Sequence, residues 1–394
     1  MINKPEVSVV LGSYNRLEFL KLTIESVRKE IEGINCEIIV VDGGSTDGAM
    51  EWLIKQKDIV TIIQHNNGEW LGKRINKRSW GYFMNLGFKC AQGKYICMIS
   101  DDCLIVPNAI KNGYALFEKA IGNGEKVGAI AFYWRDWPIE NEYEVRLTLG
   151  EKMYVNHGMY LNEALKQISY ADEDTFEFYF ADGDLCLKMW QSGYKCIDSP
   201  DSYIEHCTHV NFKVKKSNNL RLYEEVEKYK KKWYGIYYDE KNNSISTRIK
   251  KTYTDLQAIA EGFRPHYERE IEKRKHEAQT QLSRINRIIG VIDNNSNIVI
   301  YGAGVHTEML FKHTCLKEKK ITGIVDMQKH GELFDSFKVS EPKYISEVIP
   351  DIVLISSFSF QNQIGNHLCN DLRYKGQIIR LYKEDDAEPF YVHI

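Results

Sequence analysis

The chain has 394 residues, with 52 Lys and Arg against 55 Asp and Glu and a formal charge of -3. That balance excludes a chain-wide electrostatic grip on nucleic acid or on an anionic membrane. The length exceeds what one ordinary core holds, so two domains plus connecting structure are expected.

The opening, MINKPEVSVVLGSYN, lacks the basic and apolar regions of a secretory signal, and nowhere does a run of about 18 or more apolar residues offer a membrane span. Nine scattered Cys with no CxxC pair suit reduced thiols better than a disulfide framework. The expectation is a soluble, cytoplasmic chain.

In chain order, VSVVLGSY reads as a strand. The helix after it places Leu17, Leu20, Ile24, Val27 and Ile31 on one face. CEIIVVDGGSTDGAMEWLIKQ repeats strand, Gly-rich turn and helix, with Ser45, Thr46 and Asp47 as N-cap candidates. VTIIQHN is a third strand, and WGYFMNLGFKCAQGKYICMIS supplies a helix, a turn at Gly93 and a fourth strand. Alternation of this kind implies a largely parallel sheet covered on both faces.

Beyond Val127 the pattern is less regular, although DGDLCLKMWQSGY reads as a helix opened by Asp182 and ended by Gly193. Residues 218–295 are rich in Lys, Glu and Tyr and read as a helical connector. The α/β pattern then restarts with NIVIYGAGVHTEMLF, ITGIVD, DIVLISS and QIIRLY.

Ligands of open α/β sheets gather at the carboxyl ends of the strands. Three polar clusters fall at such ends: Ser13 to Arg16, Asp42 to Asp47, and Ser100 to Cys103. The adjacent Asp101 and Asp102 repel each other unless a cation, a donor or water stabilises them. A hard divalent ion that bridges carboxylates to a diphosphate meets that need.

Four stretches, VSVVLGSYNR, EIIVVDGGSTDGAMEWL, NLGFKCAQGKYICMISDDCLIVP and FADGDLCLKMWQSGYKCIDSPDSYIEH, resemble in order the motifs of family-two glycosyltransferases of the GT-A fold. The resemblance covers about the first 210 residues. It implies an α/β GT-A domain over 1–217; the helical connector then takes 218–295, and the restarted pattern is expected to form a second, smaller Rossmann-like α/β domain over 296–394.

It also implies inverting, hexosyltransferase-type transfer of a sugar from a nucleotide diphosphate donor, a UDP-sugar first among them, with Mg2+ or Mn2+. In this reading Ser13, Tyr14 and Asn15 approach the nucleoside, and Asp42 lies near base or ribose. Asp101 and Asp102 form the acidic motif, with Asp102 as metal ligand, and His206 joins the metal or the phosphates. Asp182 is the base that takes the acceptor proton.

Ser100 and Cys103 stand where a stricter pattern has acids, Gly43 where a second Asp is common, and Ala181 where a Glu often precedes the base. Arg78, in GKRINKRSW, is either a cation for the diphosphate or part of a solvated loop. Trp134, Trp137 and Tyr143 either stack on an acceptor sugar or pack internally. HCTH from His206 to His209 lacks a partner pair at zinc spacing.

In the last domain Gly302 and Gly304, with Asp326 ending the next strand, resemble a dinucleotide fingerprint whose third glycine is replaced by Thr307. That leaves NAD(P) binding, and with it a bifunctional sugar-modifying enzyme, as the alternative. A non-catalytic sugar-nucleotide scaffold is a further one. The expected acceptor is a glycan or lipid-linked glycan of the bacterial surface, met at the inner membrane face. No nucleic acid partner is expected, and self-association would run through the connector or the last domain.

Overall fold

Two early apolar runs become adjacent parallel strands, β1 (Val7–Ser13) and β2 (Cys36–Asp42), paired from Val7 with Cys36 to Ser13 with Asp42. Side chains alternate across a strand, so the two faces receive different partners. Val9, Leu11, Ile38 and Val40 pack with Leu20, Ile24 and Val27 of the helix Leu17–Glu30. Val10 and Ile39 pack with Met84 and Phe88 of the helix Trp80–Cys90. Gly87 lets that helix approach, since a Cβ there would lie 2.5 Å from Val10 Cγ1.

The computed structural model describes residues 4–207, 221–252, 263–383, 386 and 388–392. It divides into two compact units, Met1–Tyr267 and Glu268–Ile394. In the first unit β3 (Ile59–Ile63) extends the parallel set beyond β2. A short hairpin follows, β4 (Glu69–Trp70) and β5 (Lys73–Arg74), and β6 (Tyr95–Met98) pairs in parallel with β1 on its other side.

The rest of this unit is mixed. β7 (Cys103–Ile105), β8 (Val127–Asp136), β9 (Tyr143–Thr148), β10 (Lys152–Tyr154), β11 (Gly158–Leu161) and β12 (Lys195–His206) complete the sheet with β13 (Thr247–Lys251), eleven strands in all. β11 runs antiparallel to both β6 and β8, whereas β12 runs parallel to β8 and antiparallel to β7.

Within 218–295 lie the helices Leu222–Trp233 and Arg264–Gly290, but β13 also falls there, antiparallel to β9, so this stretch is not purely helical. The expected boundary at 217/218 and His209 lie outside the described residues.

The second unit holds a parallel sheet of β14 (Ile298–Tyr301), β15 (Ile321–Val325), β18 (Ile352–Ile355) and β19 (Gln377–Arg380), in the order β15-β14-β18-β19. A small hairpin, β16 (Leu333–Phe334) and β17 (Phe337–Lys338), follows β15 in the chain. Among the described residues no helix is long and apolar enough to cross a membrane, and all nine cysteines are free thiols.

Candidate active site

Strand register assembles the site. Ser13 pairs with Asp42 at the ends of β1 and β2. Cys103, which starts β7, pairs with His206, which ends β12, and His206 in turn pairs with Asp136, which ends β8.

Asp101 and Asp102, in the turn between β6 and β7, are only 3% and 2% exposed. The cation that stabilises them is Arg16, whose Nη1 donates to Asp101 Oδ1 and to Asp102 Oδ2, each at 2.8 Å. Burial pushes the Asp101 carboxyl up, against Arg16 and with help from Asp102. Burial also acts upward on Asp102, but Arg16 and His206 outweigh it and hold that carboxyl well below the usual range. Asp102 is therefore the firmly ionised member of the pair.

Each acid keeps one oxygen away from Arg16. Asp101 Oδ2 and Asp102 Oδ1 are buried with no hydrogen-bond partner among the described residues. His206 Nε2 stands 3.3 Å from Asp102 Oδ1, and its Nδ1 lies 3.1 Å from Asp136 Oδ1. Burial works against the His206 cation, yet Asp102 and Asp136 raise its pKa to about 9. His157 packs edge-on to it at 4.9 Å between ring centroids. Burial and the His206 charge push His157 down to about 3, so its ring is neutral.

The residues fit a divalent ion. Two donors bound to one ion at about 2.1 Å stand about 3.0–3.4 Å apart, which Asp102 Oδ1 and His206 Nε2 satisfy at 3.3 Å.

Asp182 is the second residue of the helix Ala181–Gln191. Its Oδ1 accepts from the Gly183 N–H and its Oδ2 from Asn156 Nδ2, both at 2.8 Å. The group is half-buried. Burial raises its pKa to about 6, partly offset by these donors and by Arg146. Asn156 and His157 are consecutive in the β10–β11 connection, so one short loop touches both Asp182 and the His206 cluster. Arg146 lies 4.6 Å from the ring centroid of Trp134, which meets His157 and His206 edge-on.

The other expected residues are placed differently. Asp42 is fully buried and spends both oxygens on its own turn: Oδ1 accepts from the Gly44 and Ser45 N–H groups, Oδ2 from Ser45 Oγ. Asn15 ties the two loops together, donating its N–H to Ser45 Oγ and accepting from the Thr46 N–H at Oδ1. Ser13 Oγ is buried and unpartnered among the described residues. Tyr14 lies against Gly43, where an added Cβ would be 3.1 Å from its ring.

Arg78 is exposed, with its guanidinium 5.0 Å from the Tyr82 ring centroid. Trp134, Trp137 and Tyr143 are buried at 5%, 5% and 0%, which makes them packing residues. In the second unit Gly304 caps the helix Val305–His313, and Gly302 has a φ of 121°. Asp326 accepts from the N–H groups of Ala303, Gln328 and Lys329, so both its oxygens are engaged by local backbone.

Several site residues escaped the sequence reading. Arg16 was visible as part of a strand-end cluster, but its partners were not. Asn156, His157, Arg146 and Asp136 carry no local motif. Glu225, on the helix Leu222–Trp233, accepts from three successive backbone N–H groups, those of Glu177, Phe178 (3.1 Å) and Tyr179 (2.8 Å), just before Asp182.

Residues 8–160 match the family described as Glycosyl transferase family 2, and residues 294–379 match one described as C2185-like, N-terminal. That match to the last domain does not by itself carry the Rossmann-like expectation.

Among curated relatives, a UDP-Glc:alpha-D-GlcNAc-diphosphoundecaprenol beta-1,3-glucosyltransferase of Escherichia coli, WfaP, is 28% identical over 39% of this chain and 55% of its own length. Glycosyltransferase GlyG of Streptococcus pneumoniae serotype 4 is 30% identical over 27% of this chain and 34% of its own length. The chain spans between a third and just over half the length of these relatives. Among solved structures, the mannosyltransferase PcManGT of Pyrobaculum calidifontis, in complex with GDP-Man and Mn2+, aligns with a TM-score of 0.41 at 16% identity, covering 57% of this chain and 65% of that one. A parallel β6-β1-β2-β3 half joined to a mixed half, with acids at the strand ends, and the family match agree: the first unit has a GT-A-type fold, and its residues 8–160 match the family 2 glycosyltransferases.

Proposed function

We propose that the first unit transfers a sugar from a nucleoside diphosphate donor to an acceptor hydroxyl, with inversion at the anomeric carbon, in the assembly of a bacterial surface glycan. The observation that carries this reading is Asp182, a carboxylate with a pKa raised to about 6. One loop joins it to the Asp102–His206 pair. A base with a pKa just below neutral is ionised at working pH yet basic enough to accept a proton.

In this mechanism Asp182 accepts the proton of the acceptor hydroxyl. The freed oxygen attacks the anomeric carbon from the face opposite the diphosphate, and the carbon–oxygen bond to the diphosphate breaks with its electron pair leaving on that group. A divalent ion, when bound, neutralises charge on the departing diphosphate. Asp102 and His206 would hold it, Arg16 fixes the orientation of the acid pair, and Asn156 aims the Asp182 carboxylate. The relative WfaP is named for a UDP-Glc donor and a diphosphoundecaprenol-linked acceptor. That supports a UDP-sugar and a lipid-linked glycan as the first substrates to try.

The test is Asp182→Asn, assayed for UDP release and for product against UDP-, GDP- and dTDP-sugars. Transfer is expected to fall by about 10²- to 10⁴-fold, while thermal stabilisation by the donor is retained. A folded variant that still transfers at the native rate, or no nucleotide that stabilises the native chain with any divalent ion, overturns the reading.

A further inference from the structure

We propose that the ion in this site is held by nitrogen and sulfur as well as oxygen, with Cys103 and His157 joining Asp102 and His206, so that the site takes a transition-metal cation such as Zn2+ or Co2+ and rejects Mg2+. The inference rests on Asp102 and His206 as metal ligands and is independent of sugar transfer.

The donors of Cys103, His157 and His206 lie within 4.8 Å of one another. Asp102 Oδ1, on a side chain 2% exposed, adjoins that cluster 3.3 Å from His206 Nε2. Two strands carry Cys103 and His206. Cys103 and His206 are a registered pair on β7 and β12, and the Cys103 N–H donates to Thr23 Oγ1 at 3.2 Å. His157 immediately precedes β11, with its ring nitrogens 3.9 Å from Cys103 Sγ. Asp136 Oδ1, 3.1 Å from His206 Nδ1, orients that ring so that Nε2 faces Asp102. A carboxylate behind a ligating imidazole is the usual outer-shell arrangement of metal-binding histidines.

The chemistry of the set decides the ion. Mg2+ demands near-octahedral oxygen ligation at about 2.0–2.1 Å and sheds its water reluctantly. Thiolate and imidazole favour Zn2+ and its neighbours in tetrahedral sites. Donors around such an ion stand about 3.3–3.8 Å apart, so the side chains draw in by about an ångström on binding, and expansion to five ligands leaves a place for the diphosphate. The Cys103 thiol loses its proton to solvent as sulfur bonds to the ion. The position after the acid pair, where a stricter family pattern has a carboxylate, is here a sulfur ligand.

The experiment uses the full chain, freed of metal by a chelator, with no donor or acceptor present. Co2+ is titrated while the visible and near-ultraviolet spectrum is recorded. One ion per chain is expected, with a sulfur-to-cobalt charge-transfer band that one equivalent of Zn2+ abolishes and about a thousandfold excess of Mg2+ does not.

Cys103→Ser, nearly isosteric, is expected to lose that band and to bind Co2+ at least 10-fold more weakly. His157→Gln is expected to keep the sulfur band and weaken binding similarly, which covers the case in which the first variant misfolds. Cobalt bound without a sulfur band, a band unchanged in Cys103→Ser, or Mg2+ competing on equal terms would each overturn the proposal and leave the transfer reading standing. A sulfur-ligated ion in a chain with no transferase activity would instead leave this site intact and remove the function.

Discussion

Asp182 carries a carboxyl whose pKa burial raises towards neutrality while leaving it ionised at pH 7, as a base must be before it can accept a proton. Its folded pKa of about 6 lies above the ordinary value of about 3.9. Between those two values the folded chain holds more protons than the unfolded one, so unfolding free energy falls as pH climbs from about 4 to about 6. Above that window the ionised group burdens the fold by up to about 3 kcal/mol.

Asp182→Asn is therefore expected to be more stable than the native chain at pH 7.5, by up to about 3 kcal/mol in urea unfolding, in the same variant that loses transfer. The native kcat is expected to rise with pH through about 6 and then level. Asn156→Ala, which removes a donor to the carboxylate, is expected to shift that acid limb to higher pH, as a kcat profile would show.

The helix Leu222–Trp233 lies outside the stretch matched to the family, yet it holds the segment that leads into Asp182. Glu225 takes three backbone N–H groups there, while Lys232 Nζ and Trp233 Nε1 each reach Asp184 at 2.9 Å. Tyr229 closes over the same turn, where a Cβ on Gly183 would meet its Oη at 2.7 Å. Removing the carboxylate leaves buried donors unmet, at about 1–3 kcal/mol each at most. Glu225→Ala is thus expected to lower stability by about 2–3 kcal/mol and to lower kcat more than it raises KM, with Glu225→Gln recovering part of both.

None of this was legible locally, because a Lys- and Glu-rich amphipathic helix looks the same whatever it caps. The TRIKK segment of β13 was hidden for a related reason: it is an exposed edge strand whose identity depends on β9 being beside it. By contrast β1, β2, β6, β14 and β18 were plain in the sequence, since strands buried on both faces need continuous apolar runs. At Asp42 the DGGS turn held a signal of its own. Asp followed by Gly and Ser favours a side chain that accepts from its own turn, and the structure shows that arrangement.

At the scale of the whole chain each unit has its own core. Val10, Ile39 and Phe88 belong to one, Ile300, Leu310 and Leu354 to another. Each is expected to unfold as its own cooperative step. Calorimetry is expected to show two transitions, of which a nucleotide-sugar donor raises one and leaves the other in place. Motif order made the first unit legible as a whole. In the second, a glycine-rich turn after a strand is shared by many α/β domains and says little about a ligand.

The position of Arg16 also bears on the order in which the molecule is built. Because the Arg16 guanidinium and the His206 cation already offset the charges of Asp101 and Asp102, the chain carries resident counter-charges and can fold before any ion is loaded. Replacing Arg16 with Ala would leave the His206 cation beside the buried acids, with a loss of about 3–5 kcal/mol when no ion is present. The variant is expected to melt early in chelator and to recover most of its Tm on adding a divalent cation. The native chain, which keeps Arg16, is expected to gain less Tm from the cation than the variant does.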